Sequence, residues 1–462
     1  MGSRWFHARV RLWLACALVA ALAGCSKKTT APTPAVESVN SVKPTSNARI
    51  TSQAVLGDAD KKSILNDIRR ADDGSLGFRG AYNGQGGVGV LNADGSLRWF
   101  RPLTYVPRDV VALPVNAIVS HGLVVVGAKD TDSDGNSDLG YASLYSSSGN
   151  LMSEFTVSSP GEARFLNRVA TVNDSAFIAC GAARPSGIER PFLLRVNLKS
   201  PGTIEAAAEA TLTGLTGSFS RIVLLAPPAL EVALAAISVD GTSRKIHGLR
   251  APWPAFEPVA VEWTQAIAPP SGAWIQLGDL AESGGNLYLV GAARDNGRPV
   301  DDGGNPWASG VAASYTSAGD PRWIKTINIS PYSDQLFAVA VGPTTIYAVG
   351  NAAFYIHANT DLFGYGLVAK LNPDDGHTIA TFTTGDERYS SGFNAAEWTG
   401  GALICGGWTL DDLRAGPYRG WLSTLDVSGT SPAEAARSPI AGAARAVPAE
   451  LEFGSGRASE SH

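Results

Sequence analysis

The chain has 462 residues, a formal net charge of −5 and only 17% charged residues. This balance excludes the basic surface of a typical nucleic-acid-binding protein, so we predict no nucleic-acid partner. The 51 glycines and 44% hydrophobic residues are typical of a turn-rich, all-β protein with an apolar core.

The first 24 residues have the pattern of a signal peptide. Arg4, Arg9 and Arg11 form a basic start, and Leu12–Ala21 is an apolar run too short to span a membrane. We therefore predict that residues 1–24 are removed and form no part of the fold.

The signal peptide ends at Leu22-Ala23-Gly24-Cys25, which resembles a bacterial lipobox. The resemblance implies that Cys25 is acylated and anchors the mature protein in a membrane, where more than one acyl chain gives stable attachment. It also implies an outer-membrane location, because Ser26 and not Asp follows the cysteine. The alternative is an ordinary secretory signal with a chance cysteine.

Residues 25–47 are rich in Ser, Thr, Pro and Lys, and we predict a disordered tether after the acylated cysteine. Ala48–Leu56 has strand character and is expected to pair with the outer edge of the last repeat and close a ring. Ala433–Ile440 is a weak candidate for the last repeat's own fourth strand, and 441–462 is predicted to be a C-terminal tail.

Between Ile64 and Ile440 one pattern occurs seven times, marked by an apolar run that ends in a small residue. Self-similarity with a period near fifty residues indicates a solenoid, an array or a propeller. The marker residues are Gly80, Gly127, Gly181, Ala236, Gly291, Gly350 and Gly406.

Each repeat contains four short apolar runs separated by turns, which predicts a seven-bladed β-propeller of four-stranded antiparallel blades over 48–440. Six or eight blades remain open because the fourth repeat is irregular, and a β-sandwich pair or a solenoid are the competing folds. The first strands are placed at Leu65–Ile68, Val115–Ile118, Leu166–Val169, Phe219–Ile222, Leu277–Leu280, Leu336–Val339 and Phe393–Ala396.

One acidic loop in the second repeat has the spacing of a calcium site, D-x-D-x-D-G-x-x-D. Oxygen ligands at alternate positions surround a hard cation, and Gly135 permits the sharp turn. An EF-hand would carry Glu where this chain has Tyr141, so the loop instead resembles the calcium loops between strands of integrin-type propellers. A solvated acidic loop is the alternative. The predicted structural Ca²⁺ ligands are Asp130, Asp132, Asp134, Asn136 and Asp138.

The connections from the second to the third strand and from one repeat to the next are predicted to be long and to emerge on one face. Aromatic and arginine side chains are concentrated there, as in binding hot spots. We predict that this face binds a protein or a glycan, although the rings could instead pack inward. The residues are Tyr105, Trp274, Trp307, Phe354, Tyr355, Tyr389, Trp408, Tyr418 and Arg419.

Four charged residues, Asp67, Arg168, Arg221 and Asp279, occupy the variable position of the first strands near the expected central axis. They could form a functional ring or a set of paired structural charges. Cys180 and Cys405 each precede a marker glycine, where other repeats have valine. We expect both to be core residues, with no disulfide between them and no metal-binding or catalytic role.

Signatures of catalysis are weak. The six histidines have no metal-ligand spacing, and the chain has no G-x-S-x-G motif. Asp301-Asp302 and Asp411-Asp412 are paired carboxylates that could act on a glycoside, but adjacent acids in glycine-rich loops are more often solvated.

The segments Asn286–Gly291, Thr345–Gly350 and Gly366–Gly376, followed by turns such as Asn92–Trp99, resemble the repeats of bacterial secreted β-propellers. They also resemble quinoprotein-type repeats, including those of an outer-membrane assembly lipoprotein. The resemblance covers about Ile64 to Ile440 and implies the fold. Several repeats lack the tryptophan, as at Met152–Phe155, which weakens an implied quinone or assembly role.

The leading hypothesis is a lipid-anchored, calcium-stabilised envelope protein that binds a protein or glycan without catalysis. One alternative is a sugar-acting or quinone-dependent propeller enzyme, which acidic residues converging at the channel mouth would favour. The other is a structural subunit of an outer-membrane assembly, which a broad apolar patch would favour.

Overall fold

The computed structural model describes the propeller and two short strands before it. The described residues are 37–38, 46–47 and 49–427, except 115–116, 118, 130–138, 158–161, 227–230, 271, 296, 298–306, 331, 358–360, 385–389 and 411–416. For 37–38, 46–47, 226, 354–357 and 361–363 only the backbone is described. The predicted signal peptide, Cys25, Ala433–Ile440 and the tail 441–462 lie outside this part of the chain. Within it, no helix is long and apolar enough to cross a membrane.

The strands occur in chain order, four to a blade. Three precede the first blade: β1 (Glu37–Ser38), β2 (Ser46–Asn47) and β3 (Arg49–Leu56). Blades 1 and 2 contain β4 (Ile64–Arg70), β5 (Leu76–Tyr82), β6 (Gln85–Leu91), β7 (Leu97–Pro102), β8 (Val106–Ala112), β9 (Leu123–Lys129), β10 (Leu139–Tyr145) and β11 (Leu151–Val157). Blades 3 and 4 contain β12 (Ala163–Asn173), β13 (Ala176–Arg184), β14 (Arg190–Lys199), β15 (Thr203–Thr211), β16 (Ser218–Ala226), β17 (Glu231–Asp240), β18 (Ser243–Pro252) and β19 (Ala260–Ala266).

Blades 5 and 6 contain β20 (Trp274–Ser283), β21 (Asn286–Arg294), β22 (Ala308–Thr316), β23 (Pro321–Ile327), β24 (Ser333–Val341), β25 (Ile346–His357), β26 (Asp361–Leu371) and β27 (Thr378–Thr384). Blade 7 contains β28 (Ser390–Trp398), β29 (Leu403–Leu410) and β30 (Arg419–Asp426). A 3₁₀ turn at Pro185–Gly187 joins β13 to β14.

Consecutive strands pair antiparallel within every blade, and β3 supplies the fourth strand of blade 7. It pairs with β30 in register from Arg49 opposite Asp426 to Leu56 opposite Gly420. The prediction of a seven-bladed propeller is therefore confirmed, and so is the expected closure of the ring by the segment before the first blade. Within the predicted tether, β1 and β2 add short parallel strands to β23 and β27.

Burial explains how the blades stack. The second strands are covered on both sides, as in β9, where every residue from Leu123 to Ala128 is buried. The fourth strands lie outermost and keep exposed positions, as in β11. Among the described residues, each of the seven pairs of adjacent blades, including blade 7 and blade 1, is joined by at least one apolar cluster. A single blade could not bury both of its faces, so the closed ring is what completes the core.

Every first strand contains a β-bulge at the same place, for example between Leu166 and Arg168. The residue facing the bulge on the second strand is glycine in six blades, because a Cβ there would meet the carbonyl oxygen of the first strand; at Gly181 it would lie 1.9 Å from the Phe165 oxygen. Two markers are corrected by this register. The facing residue is Ser238 in blade 4 and Gly407 in blade 7, not Ala236 and Gly406.

The first strand of blade 2 is also corrected. It is β8, with its bulge between Pro107 and Asp109, and not Val115–Ile118, of which Ala117 alone is described. The other six first strands contain the predicted segments.

Cys180 and Cys405 are both buried and free, as expected of core residues. Only Cys180 directly precedes the facing glycine, whereas Cys405 lies two residues before Gly407.

Candidate functional site

We call the face that carries the connections between second and third strands, and between successive blades, the long-loop face. Because strands alternate in direction, all of these connections emerge on that side. The second-to-third connections are long in blades 2, 5 and 7, as predicted. The prediction is wrong for blades 1 and 4, where Asn83–Gly84 and Gly241–Thr242 are two-residue turns. Asn83 and Gly84 both have positive φ, which is the conformation that tight hairpins require.

Two half-buried aromatic pairs lie at the long-loop face. Trp408 and Tyr418 make an edge-to-face contact with ring centroids 4.8 Å apart, and Lys62 Nζ lies 5.7 Å from the Tyr418 ring. Trp307 and Tyr332 make a second edge-to-face contact at 6.3 Å, between blades 5 and 6. Arg419 is half-buried and directly follows Tyr418. These pairs present rigid rings that remain partly open to solvent.

Two of the predicted binding residues instead lie in the core. Tyr105 is 8% exposed, stacks on Tyr141 at 4.7 Å and lies 2.9 Å from Ser143 Oγ through its hydroxyl. Trp274 is 9% exposed and belongs to β20, and its Nε1 donates to the Ile267 carbonyl at 2.8 Å. Both rings therefore stabilise the ends of strands, which is the inward packing that the sequence left open.

The remaining residues predicted for binding or metal coordination lie outside the described residues or side chains. Phe354 and Tyr355 belong to β25, but their side chains are not described, and Tyr389 falls between β27 and β28. The predicted calcium ligands Asp130, Asp132, Asp134, Asn136 and Asp138 all fall in the connection from β9 to β10. Asp301-Asp302 and Asp411-Asp412 fall in the corresponding connections of blades 5 and 7.

A cluster of charged side chains occupies the central channel, which we call the channel cluster. It includes all four residues predicted near the axis, and five more lie beside them on the first and second strands. The members are Asp67, Arg69, Arg79, Arg108, Asp109, Arg168, Arg221, Asp279 and Glu397.

Arg168 is the centre of the buried part of the channel cluster. Its Nη1 donates to Asp67 Oδ2 at 2.8 Å and to Asp109 Oδ1 at 3.2 Å, joining blades 1, 2 and 3. Asp109 also accepts the Val169 backbone N–H at 2.8 Å. On the opposite side, Arg221 Nε donates to the Gly278 carbonyl at 2.7 Å and lies 3.8 Å from Asp279. These contacts join neighbouring blades at the axis.

Burial and charge act in opposite directions on the carboxyl groups. Burial would raise the pKa of Asp67, but the guanidiniums of Arg69, Arg168 and Arg79 overcome it and hold that pKa well below its usual range. For Asp109 burial prevails and the pKa is raised. Burial also raises the pKa of Glu397 to about 7, although Arg69 opposes the change. Burial lowers the pKa of Arg221 to about 9, and Arg168 adds to that effect.

The raised pKa of Glu397 makes a prediction about stability and pH. A carboxyl group that binds its proton more tightly in the folded state contributes stability that is present below pH 4.5 and lost as the pH rises through 7. We therefore expect Glu397→Gln to match the wild type at pH 4 and to exceed it by about 2 kcal/mol at pH 8, after allowing for partial exposure. Urea unfolding at the two pH values measures the difference. A variant less stable than the wild type at pH 8 would mean that the ion pair with Arg69 dominates.

Several members of the channel cluster were missed from the sequence. Asp109 was missed because the first strand of blade 2 was placed too late in the chain. Arg69 and Glu397 lie two residues beyond the variable position, so they face the same channel one step further along. Strand alternation could have identified both. Arg79 lies on a second strand, and no periodic signal marked it.

Comparisons with known proteins assign no family to the chain. No protein-family model and no curated protein matches the chain. It is similar to Sqt1 from Chaetomium thermophilum at 12% identity and a TM-score of 0.40, covering 80% of this chain and 75% of that one. A Lactobacillus plantarum protein aligns at 11% identity and a TM-score of 0.42, over 69% of this chain and 85% of that one. Extracellular domains 1-2 of Drosophila Semaphorin 1b align at 9% identity and a TM-score of 0.40, over 83% of this chain and 88% of that one. Likenesses this weak carry no argument about function.

Proposed function

We propose that this chain is a lipid-anchored protein of the bacterial cell envelope that binds a protein or a glycan through its long-loop face, without catalysing a reaction. The observation that carries the proposal is the presence of the pairs Trp408–Tyr418 and Trp307–Tyr332 on that face. Rigid aromatic rings that stay partly exposed supply a large contact area at little entropic cost, which is why they dominate binding hot spots.

The path of the chain indicates where an anchor would join the propeller. The strands β1 and β2, which follow Cys25 in the chain, pair with β23 and β27 at the outer rim of blades 5 and 6. The strand β3 then begins at Arg49 on the side opposite the long-loop face, because it runs antiparallel to β30. An anchor at Cys25 would therefore reach the propeller at its outer rim.

The alternatives receive less support. The enzyme hypothesis predicts acidic residues that converge at the channel mouth. In the channel the acidic side chains are instead paired with arginines, as in the contacts of Arg168 to Asp67 and Asp109. The structural-subunit hypothesis called for a broad apolar patch. The large exposed apolar side chains of the described residues are scattered, for example Leu151, Val261 and Ile379 on the outer strands of blades 2, 4 and 6.

A binding experiment with matched variants tests the proposal. The fragment from Ser26 onward would be applied to a glycan array and to immobilised envelope proteins in calcium-containing buffer. We expect the double substitution Trp408→Ala, Tyr418→Ala to weaken any binding by at least about tenfold, because aromatic hot spots contribute 2 kcal/mol or more. Trp398→Ala is the control, since Trp398 is a half-buried aromatic residue at the opposite end of the propeller, stacked on Tyr347. Equal losses in both variants would argue against a site on the long-loop face.

The anchor has its own test. In a bacterial host fed labelled palmitate, the wild type is expected to incorporate the label and to fractionate with membranes. Cys25→Ser should lose the label and become soluble, because an acyl chain is what would hold the mature protein. Cys16→Ser, within the predicted signal peptide, is the control and should behave as the wild type. Labelling of Cys25→Ser would contradict the lipobox interpretation.

The calcium site is also part of the proposal, since its ligands fall in a connection of the long-loop face. We expect 1 mM Ca²⁺ to raise the thermal unfolding midpoint of the fragment by a few degrees relative to chelator, because a ligand that binds only the folded state stabilises it by mass action. Asp132→Ala, Asp134→Ala should remove the shift. Asp301→Ala, Asp302→Ala tests another acidic loop and should retain it. An unchanged midpoint in wild-type protein would make 130–138 an ordinary acidic loop.

A further inference from the structure

Two arginines of the channel cluster, Arg79 and Arg108, have hydrogen-bond donors that the other described residues do not use. Arg79 lies on the second strand of blade 1, level with Asp67, and Arg108 occupies the bulge in the first strand of blade 2. Arg108 is two residues past Val106, which is 57% exposed where β8 begins at the long-loop face. We call these two residues the arginine pair, and they belong to the part of the channel cluster nearer that face.

Neither guanidinium of the arginine pair makes a hydrogen bond within the part of the chain that the structure describes. Asp67 Oδ2 lies 3.6 Å from Arg79 Nε, which is longer than an ordinary hydrogen bond. Arg108 has no carboxylate within ion-pair distance in the same part of the chain. Both side chains are partly exposed, so a small ion can reach them. Each guanidinium has five N–H donors, and these are available to a ligand.

The other arginines of the channel cluster already have partners. Arg168 Nη1 donates to Asp67 at 2.8 Å and to Asp109 at 3.2 Å. Arg69 lies within 3.9 Å of three carboxylates, and Arg221 donates to two backbone carbonyls. Asp67 is therefore shared by three arginines, one of which belongs to the arginine pair. Positive charge is in excess around the pair.

Burial and neighbouring positive charges both act against the arginine pair. Burial lowers the pKa of Arg108, and the guanidinium of Arg168 lowers it further. Burial also lowers the pKa of Arg79, because Asp67 opposes the change only in part and both Arg168 and Arg108 add to it. Arg168 lies directly against Arg108, since its Nη1 is 3.2 Å from the Arg108 carbonyl oxygen. A partly buried charge without a counter-charge is costly, and a bound anion would remove that cost.

We propose that the arginine pair is a binding site for a small oxyanion, of the carboxylate or phosphate class, between blades 1 and 2 at the long-loop end of the channel. A planar guanidinium binds such groups through paired N–H···O bonds, which the unused donors of Arg79 and Arg108 can supply. The site does not depend on the aromatic pairs of the long-loop face. The proposed function and this site can therefore fail separately.

Isothermal titration calorimetry with acetate, inorganic phosphate and the neutral acetamide tests the proposal on the fragment from Ser26 onward, in a buffer without other small oxyanions. We expect the tighter of the two anions to bind with a Kd below about 10 mM, and its identity assigns the site to the carboxylate or the phosphate class. Acetamide should bind at least about tenfold more weakly than that anion, because it cannot accept charge-assisted hydrogen bonds. Binding of neither anion at about 50 mM, or equal binding of acetamide, would overturn the proposal.

Variants locate the binding at the arginine pair. Arg108→Gln should weaken binding of the tighter anion at least about tenfold, and Arg79→Gln should do the same, so the proposal can be tested even if one variant fails to fold. Arg108→Lys keeps the charge but loses the planar fork, and it should retain more of the binding than Arg108→Gln. Arg250→Gln removes an exposed arginine of blade 4 and is the matched control, which should bind as the wild type. Unchanged binding in Arg108→Gln, or an equal loss in Arg250→Gln, would refute the proposal.

Discussion

Replacing Gly350 by alanine is expected to lower the free energy of unfolding by about 3 kcal/mol, although the substitution adds a single methyl group. A Cβ at Gly350 would lie 1.9 Å from the carbonyl oxygen of Gln335 and 2.8 Å from the Leu336 Cα. Both are backbone atoms of β24, and they are held in place by the bulge and by the hydrogen bonds between β24 and β25. No side chain can rotate away, so the two innermost strands of the blade must separate.

The same contact recurs around the ring, which makes the prediction general. In six blades a Cβ on the second strand would meet a first-strand carbonyl oxygen at 2.5 Å or less, and the distance is 1.9 Å in three of them. The glycines are Gly80, Gly127, Gly181, Gly291, Gly350 and Gly407. In blade 4 Ser238 takes this place, and its hydroxyl lies 2.7 Å from His247 Nε2.

Gly86→Ala is the matched control. Gly86 is also a strand residue, but it is exposed and a Cβ there would meet nothing within 4 Å. We expect its midpoint of urea denaturation to equal or slightly exceed that of the wild type, because alanine reduces the freedom of the unfolded chain. If both substitutions had the same small effect, the bulge would be more adaptable than its geometry indicates.

This stereochemistry explains why most of the fold could be predicted from the sequence. In five of the seven repeats the marker glycine is the residue that the bulge requires, so the repeat period and the blade number follow from local pattern. Prediction failed where local pattern was misleading. Val115-Asn116-Ala117-Ile118 fits the first-strand pattern better than the true strand, whose Pro107-Arg108-Asp109 looks unlike a buried strand. The buried charge of Asp109 is tolerated because Arg168, from another blade, pairs with it.

The site was less predictable, because its contacts come from residues far apart in the chain. Arg168 and Asp67 are 101 residues apart, yet they form the central ion pair. Proximity to the axis could be inferred from the repeat, but the choice of partner depends on how the ring closes. Similarly, the sequence placed Tyr105 and Trp274 among surface aromatics, and only the packing of adjacent strands buries them.

Replacing Arg168 by methionine is expected to cost about 3–5 kcal/mol at pH 7, because it removes the main counter-charge of buried Asp109 and one of the counter-charges of buried Asp67. Asp67 is 5% exposed and Asp109 is 1% exposed, and both accept hydrogen bonds from Arg168 Nη1. Methionine keeps the apolar stem and the packing volume, so the loss reports the charge rather than a cavity. Urea unfolding at pH 7 measures it.

Two further measurements separate an electrostatic cause from a packing defect. The loss of stability should be smaller at pH 5. Burial already raises the pKa of Asp109, and the substitution would raise it further. The folded state would therefore take up a proton on Asp109 at pH 5, which offsets the missing positive charge. Asp109→Asn should likewise recover part of the stability in the Arg168→Met background. Arg250→Met removes an exposed arginine that pairs with Glu231 and Glu262, and it should leave the midpoint near that of the wild type. A loss that persists at pH 5 and in the double variant would mean that Arg168 acts through packing, and that the charges at the axis do not hold blades 1, 2 and 3 together.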